Sequence, residues 1–450
     1  MRRKIYQQLL DWKQCEQGES ALLVQGARRV GKSYIVEAFA KAEYDSHILI
    51  DFNKAGDEVR DMFLHDLNDL DTFFLKLSAL YNTRLIPRRS LIIFDEVQLF
   101  PRARSAIKYL VADGRYDYIE TGSLMSIKKN VQDILIPSEE DSIDMHPLDF
   151  EEFCWALGNE TIVPLARECF EAKRPMGQAL HRKAMDLFRQ YMLVGGMPQA
   201  VEAYARDRDF ERTDKAKRRI LKLYREDIRK HAGKDALRVE SIFDELPSQL
   251  KNQNRHFKLA SVEKDATFNE FRDALFWLSD AMAVNNCYNT TEPTLGLNLN
   301  RERTTLKCYM ADTGLLISHA FDERGLVNEQ VYKKILLDKL EVNMGMVVEN
   351  AVAQMLRASG HKLYFYANPC REDASSRMEI DFLISKAGIT NRHNISPIEV
   401  KSSARYALSS LRKFIKKYST QLHIPYVVHP ADLKVEDGVT FVPLYMVPFL

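Results

Sequence analysis

The chain has 450 residues, 46% hydrophobic and 28% charged, enough to bury more than one complete core and unlike the composition of disordered or collagen-like proteins. Lys and Arg number 64 against 63 Asp and Glu, so a globally basic, histone-like nucleic-acid binder is excluded while local basic patches are not. The apolar runs, Leu91–Phe94 among them, fall far short of the roughly 18 residues that a membrane span needs.

The start, Met1-Arg2-Arg3-Lys4, leads into an amphipathic segment and not an apolar leader core. The six cysteines are scattered with no pair at zinc or redox spacing, which predicts reduced thiols in a cytoplasmic protein. Up to about residue 150, short apolar runs at 21–25, 47–52, 90–94, 116–120 and 142–145 read as strands. Segments 33–42 and 103–112 between them repeat apolar residues every three to four positions, which predicts βα units on a parallel sheet.

Gly26-Ala27-Arg28-Arg29-Val30-Gly31-Lys32-Ser33 fits G-x-x-x-x-G-K-[ST], follows an apolar strand and opens a helix through Tyr34. Glycines at these places let backbone N–H groups wrap phosphates, and the helix N-terminus adds partial positive charge. Lys32 is expected on the β- and γ-phosphates of ATP and Ser33 on Mg²⁺. The strand 91–94 ends in Asp95-Glu96. At that edge of a parallel sheet Asp95 is expected to complete the Mg²⁺ site and Glu96 to orient or deprotonate water. After the next strand comes Thr121-Gly122-Ser123, where Ser123 is preferred as a hydroxyl for the γ-phosphate or the attacking water, a helix N-cap being the competing role. Asp51 reads as a turn residue.

From residue 150 to about 237 the pattern is helical. Three short helical patterns and an extended pair, 283–286 and 307–310, then suggest a winged-helix-like module, and mixed α/β character returns from about 325. Near the end, Glu379-Ile380-Asp381 precedes Ile398-Glu399-Val400-Lys401. Glu399 and Lys401 share a strand face, and if the Asp381 strand lies alongside, two carboxylates and a lysine converge where a divalent metal would bind. A helical pattern at 346–352 would deliver Glu349 to the same point, and a basic run, Arg405 to Lys417, follows. A solvated Glu399–Lys401 salt bridge and a solvated helix face are the competing readings.

The phosphate loop with Arg28-Arg29, Asp95-Glu96-Val97-Gln98, Thr121-Gly122-Ser123, Pro147-Leu148-Asp149-Phe150-Glu151-Glu152-Phe153 and Gly195-Gly196-Met197-Pro198 together resemble the prokaryotic AAA+ ATPases. The resemblance is to the group that joins an AAA module to a C-terminal domain of unknown function, because the 307–315 and 398–403 runs match as well. It implies a helical lid with Pro198 against the adenine, and assembly into homo-oligomers. A Gly-Arg pair common in that family before the P-L-x-F-x-E-F run is replaced by Ile136-Pro137-Ser138-Glu139, which leaves Arg28, Arg29, Arg102 and Arg104 as candidate γ-phosphate arginines. The C-terminal D…E-x-K pattern resembles the PD-(D/E)xK nuclease fold.

The expected organisation is therefore a P-loop core at 1–158, a helical lid and linker at 159–237, a winged-helix-like module at 238–322 and a restriction-endonuclease-like α/β domain at 323–450. The expected function is ATP binding and hydrolysis coupled to a nucleic-acid-interacting, nuclease-like end, with DNA as partner. The alternative is a regulatory ATP switch whose degenerate nuclease-like domain binds a protein.

Overall fold

The protein is described here by a computed structural model covering residues 1–122, 138–251, 257–264, 266–294, 296–321, 344–368, 377–385, 394–403 and 405–450. Two compact units emerge, Met1–His146 with Asp280–Met282, and Pro147–Ser279 with Ala283–Leu450. Among the described residues no helix is long and apolar enough to cross a membrane.

The first unit holds α1 (Ile5–Glu16), β1 (Ala21–Gly26), α2 (Lys32–Glu43), β2 (Ser46–Asp51), α3 (Asp57–His65), α4 (Leu70–Leu80), β3 (Ser90–Asp95), α5 (Pro101–Asp113), β4 (Asp117–Gly122) and β5 (Glu140–Met145). Its sheet runs β2-β3-β4-β1-β5, all parallel, with β4 inserted between the loop-bearing strand β1 and the acidic strand β3. The three inner strands are buried along their whole length, as parallel strands covered on both faces must be. Alternation divides the core: Ile92 and Phe94 join Phe52, Phe63 and Ile107 on one face, while Leu91 and Ile93 join Leu22, Val24 and Phe39 on the other. All five strands read from the sequence in this region are present, each within about two residues of its expected ends.

The second unit opens with α6 (Phe150–Ala156), α7 (Ile162–Glu171), α8 (Gln178–Val194), α9 (Pro198–Asp207), α10 (Phe210–His231), α11 (Ala236–Lys251) and α12 (Phe268–Asp280). Asp149 begins α6 with a complete capping box, accepting from Glu152 N while Glu152 accepts from Asp149 N. There follow β6 (Val284–Thr290), β7 (Arg301–Met310), α13 (Thr313–Ala320), α14 (Met344–Ala358), β8 (Tyr364–Asn368), β9 (Met378–Ser385), β10 (Ile395–Val400), α15 (Ser409–Tyr418), β11 (Tyr426–His429), β12 (Lys434–Glu436) and β13 (Val439–Pro443).

These strands form one eight-stranded sheet in the order β12-β13-β11-β10-β9-β8-β6-β7. The β6–β7 ribbon expected from the sequence is present as an antiparallel pair. Tyr288 and Asn289 of β6 pair in parallel with Tyr364 and Phe365 of β8, so the ladder that a free wing leaves open continues into the C-terminal sheet. Phe414 and Leu411 of α15 pack with Tyr366, Ile380 and Val427 to close the core over this sheet.

Candidate functional site

In the first unit the loop after β1 has the backbone that an anion cradle requires. Arg29 and Gly31 have φ of 69° and 100°, and alternating left- and right-handed residues turn successive N–H groups toward one centre. A Cβ on Gly26 would sit 2.5 Å from Met145 O, so this position tolerates only glycine. Lys32 begins α2, is buried, and its Nζ donates to the carbonyls of Gly26 (2.9 Å) and Ala27 (3.2 Å). The sequence gives no signal for Arg3, yet its buried guanidinium braces the loop from behind, donating to Val30 O at 3.0 Å and His146 O at 2.6 Å.

Parallel register brings the tips of β1, β3 and β4 together. Ser33 Oγ donates to Asp95 Oδ1 at 2.7 Å, and Thr121 Oγ1 donates to the same oxygen. The Glu96 backbone N–H reaches Thr121 Oγ1 at 3.3 Å, and Glu96 itself sits at φ 55° with its carboxylate accepting from Gln98. Hydroxyl and carboxylate oxygens meeting beside a phosphate cradle make a donor set suited to a hard cation such as Mg²⁺.

Sequence preferred Ser123 at this strand tip. Ser123 lies outside the described residues, and the hydroxyl brought to Asp95 is that of Thr121, two positions earlier. Asp51 is the turn residue expected, accepting from Asn53 N and pairing with Lys54 at 2.9 Å. Of the candidate arginines, Arg104 is withdrawn: it is buried and grips Glu140 through Nε (3.0 Å) and Nη2 (2.7 Å). Arg28, Arg29 and Arg102 are exposed, as is Tyr34.

A family model described as an AAA domain matches residues 18–154. Residues 18–154 thus carry an AAA+ domain, at the level of the superfamily. Two further models, both described as domains of unknown function (DUF8612 and DUF4143), match residues 185–324 and 344–447. No curated protein matches the chain. Among solved structures, a Walker-type ATPase of Pyrococcus abyssi is similar at 16% identity, covering 71% of this chain and 95% of its own, with a TM-score of 0.40. The Orc1 protein of Aeropyrum pernix in complex with DNA shares 12% identity over 72% of this chain and 93% of its own, at a TM-score of 0.27. PCH-2 of C. elegans shares 10% over 49% and 65%, at 0.24. The AAA+ domain carries its phosphate loop, acidic strand tip and polar β4 tip on one edge of the sheet.

Pro198, expected on the adenine, opens α9 in the second unit. The glycines before it have a packing reason there: a Cβ on Gly196 would meet Leu148 O at 2.1 Å, and one on Gly195 would meet Asp312 Oδ1 at 2.2 Å. Asp312 caps α13 through Leu315 N and also accepts from Gly196 N at 2.5 Å.

A second site lies wholly within the second unit, in a cavity of about 380 Å³. The adjacent strands β9 and β10 bring Asp381, Glu399 and Lys401 to its wall, α14 adds Glu349, and β9 adds Glu379. Asp381 Oδ2 accepts from Val400 N at 2.8 Å, which ties the carboxylate to the end of β10. Burial raises Asp381 to about 7, and the charge of Glu349 adds to the rise against the pull of Lys307. Burial likewise raises Glu399, opposed by Lys401 and by the Leu411 amide. Glu399 Oε1 pairs with Lys401 at 2.6 Å, while its Oε2 is buried with no partner in bonding geometry.

The residue that sequence did not assign here is Lys307. It comes from β7, is 7% exposed, and its Nζ lies 3.1 Å from Glu349 Oε1 and 3.2 Å from Glu379 Oε1. Burial alone would lower the ammonium, but Glu349, Asp381 and Glu379 together hold it above the ordinary lysine range. Tyr309 donates to the same Glu349 oxygen at 2.5 Å. Glu349, expected beside Asp381 and Glu399 as a metal ligand, lines the same cavity, and its Oε1 accepts from Lys307 and Tyr309. Among the described residues no three carboxylate, His or Cys side chains form a metal-holding group. The two remaining carboxylates of the wall are Asp381, tied to Val400 N, and Glu399, paired with Lys401.

Proposed function

We propose that this protein binds ATP with Mg²⁺ and hydrolyses it in the AAA+ domain, and that its C-terminal region is a nuclease-like, nucleic-acid-interacting domain. The observation that carries the ATPase reading is the meeting of Ser33 and Thr121 on Asp95 beside a cradle of inward-turned amides. Lys32 and the loop amides of Ala27, Arg28, Arg29 and Val30 hold the phosphates. Ser33 and Asp95 hold Mg²⁺, which supplies charge neutralisation on the phosphates. Glu96 takes up the proton of an attacking water, and the Gln98 amide that it accepts from keeps its carboxylate oriented. Lys32→Ala is expected to abolish nucleotide binding measured by calorimetry, whereas Glu96→Gln keeps binding and loses turnover. Tight ATP binding by the Lys32 variant would contradict the assignment.

For the C-terminal region, support comes from the order α14-β8-β9-β10-α15-β11, in which β8, β9 and β10 are antiparallel and β11 runs parallel to β10. This order and the Asp381, Glu399 and Lys401 positions fit the resemblance to PD-(D/E)xK nucleases. Asp381 and Glu399 would hold a divalent ion, which would supply charge neutralisation on a phosphodiester, and Lys401 would steady the charge developing there. Arg412, Lys413, Lys416 and Lys417 line up on α15 as contacts for a nucleic-acid backbone. One observation favours the alternative of a degenerate, partner-binding domain: a lysine already neutralises part of the acid cluster. DNA incubated with Mn²⁺ decides between them. Cutting by the wild type that Asp381→Ala and Lys401→Ala abolish supports the nuclease, and an equal background in all three supports the switch.

A further inference from the structure

We propose that Arg3 is a positioning residue for the nucleotide: by holding the Val30 carbonyl on the outer side of the phosphate loop, it keeps the Gly31 N–H turned toward the phosphates. The inference deepens the ATP reading and rests on it in one respect, that the loop after β1 takes the phosphates of ATP.

Geometry comes first. Arg3 is 7% exposed, and its guanidinium donates from Nη1 to Val30 O at 3.0 Å and from Nη2 to His146 O at 2.6 Å. In a trans peptide the carbonyl and the following N–H point in opposite directions, so a grip on Val30 O directs Gly31 N–H away from Arg3. Among the described residues that N–H has no hydrogen-bond partner, while Gly31 O accepts from Ile35 N at 3.1 Å. The unpaired donor immediately precedes Lys32 and Ser33, the side chains assigned to phosphate and Mg²⁺.

A brace needs a fixed anchor, and Arg3 has one. Directly after it, α1 buries Ile5, Leu9 and Trp12 in the core that also holds Val24 and Val30. His146 follows β5, whose Met145 pairs with Gly26, where the loop begins. The planar guanidinium thus ties loop to sheet through donors held in a rigid fork, which an ammonium does not offer.

The loop also needs the brace. Gly31 sits at φ 100°, and glycine crosses readily to negative φ. Rotation of the Val30–Gly31 peptide makes that crossing and turns a carbonyl oxygen, in place of an N–H, toward the anion. On the other side of Val30, its N–H is held by Ala27 O at 3.3 Å. Arg3 opposes the rotation by keeping the oxygen outside. Losing it lowers the fraction of binding-competent loop, and the apparent affinity falls by the same factor. Charge-assisted hydrogen bonds are strong enough to make that factor about ten to a hundred.

The test uses the full-length protein. Arg3→Met is expected to bind ATP and ADP, each with Mg²⁺, about ten- to a hundredfold more weakly than the wild type in calorimetry, both by a similar factor. KM for ATP should rise likewise while kcat stays within about threefold, because saturating nucleotide restores the competent loop. Carbon-13 in valine carbonyls with nitrogen-15 in glycine isolates two peptides by magnetic resonance, Val30–Gly31 and Val194–Gly195. The Val30–Gly31 signal, identified by its response to ADP, should be displaced or doubled in nucleotide-free Arg3→Met and return to the wild-type position with saturating ADP. Arg3→Lys, with the charge but not the fork, is expected to fall between, and it replaces Arg3→Met if circular dichroism shows the latter unfolded. Unchanged affinity, a loss for only one nucleotide, a loss confined to kcat, or an unperturbed Val30–Gly31 signal overturns the role of Arg3 and leaves the ATP reading intact. Failure of the wild type itself to bind ATP overturns both.

Discussion

Lys217 is a side chain whose role its own sequence neighbourhood hides. It sits fully buried in α10, donates to Leu193 O at 2.7 Å, and burial lowers it to about 8 against the pull of Asp214 and Asp312. Because the folded value lies below that of the unfolded chain, the cost of burying the ammonium is present in full below pH 8. It is relieved as pH rises to about 10.5, where the unfolded lysine also titrates. Relative to Lys217→Met, the wild type is expected to gain up to ~3 kcal/mol of stability between pH 7.5 and 10.5 in urea unfolding, and a constant difference would refute this. In the AAA+ domain, Lys32→Ala should weaken ATP binding at least about a hundredfold, given the worth of charge-assisted bonds to phosphate. Glu96→Gln should lower kcat by about 10² to 10⁴ at nearly unchanged affinity, read by steady-state phosphate release. Lys32, Ser33 and Asp95 were legible as residues because each lies in a contiguous run whose spacing reflects its chemistry. Thr121, Arg3 and Lys307 were not, since which hydroxyl or which distant cation reaches a site depends on register between elements.

Elements were legible wherever their period was strong. The alternation that divides Ile92 and Phe94 from Leu91 and Ile93 is a local property of β3, and the cap at Asp149 is a four-residue signal. Pairing between elements is another matter. The β6–β7 ribbon was visible as two extended stretches, but nothing within 284–310 says that its free edge would find β8, more than fifty residues on. The Gly195-Gly196 turn makes the same point from the other direction: its glycines serve the close approach of Leu148 and Asp312. Gly196→Ala would drive a methyl into a backbone carbonyl and is expected to destabilise the second unit by more than about 2 kcal/mol, measured by chemical denaturation. A change below about 0.5 kcal/mol would show that the turn can yield.

At the scale of the whole molecule, ligand binding should appear as stability. ATP with Mg²⁺ at a hundred times its Kd is expected to add about 2.7 kcal/mol to the wild type and no more than about 0.4 kcal/mol to Lys32→Ala, seen as a clear rise in thermal midpoint in the first and little or none in the second. The amino-acid order by itself determined the phosphate loop, the acidic strand tip and the five strands of the sheet that carries them, because each is written in neighbouring residues whose spacing matches a backbone period. It also put Asp381 in one strand pattern and Glu399 with Lys401 in another, while the structure decided that those two strands are neighbours. Only the tertiary structure decided that Thr121 faces Asp95, that Arg104 is spent on Glu140, and that the β6–β7 ribbon is the edge of a larger sheet delivering Lys307 to Glu349 and Glu379. The reason is physical: a buried charge must find an opposite charge or a hydrogen bond, and the partner that satisfies it is chosen by packing in space, not by distance along the chain.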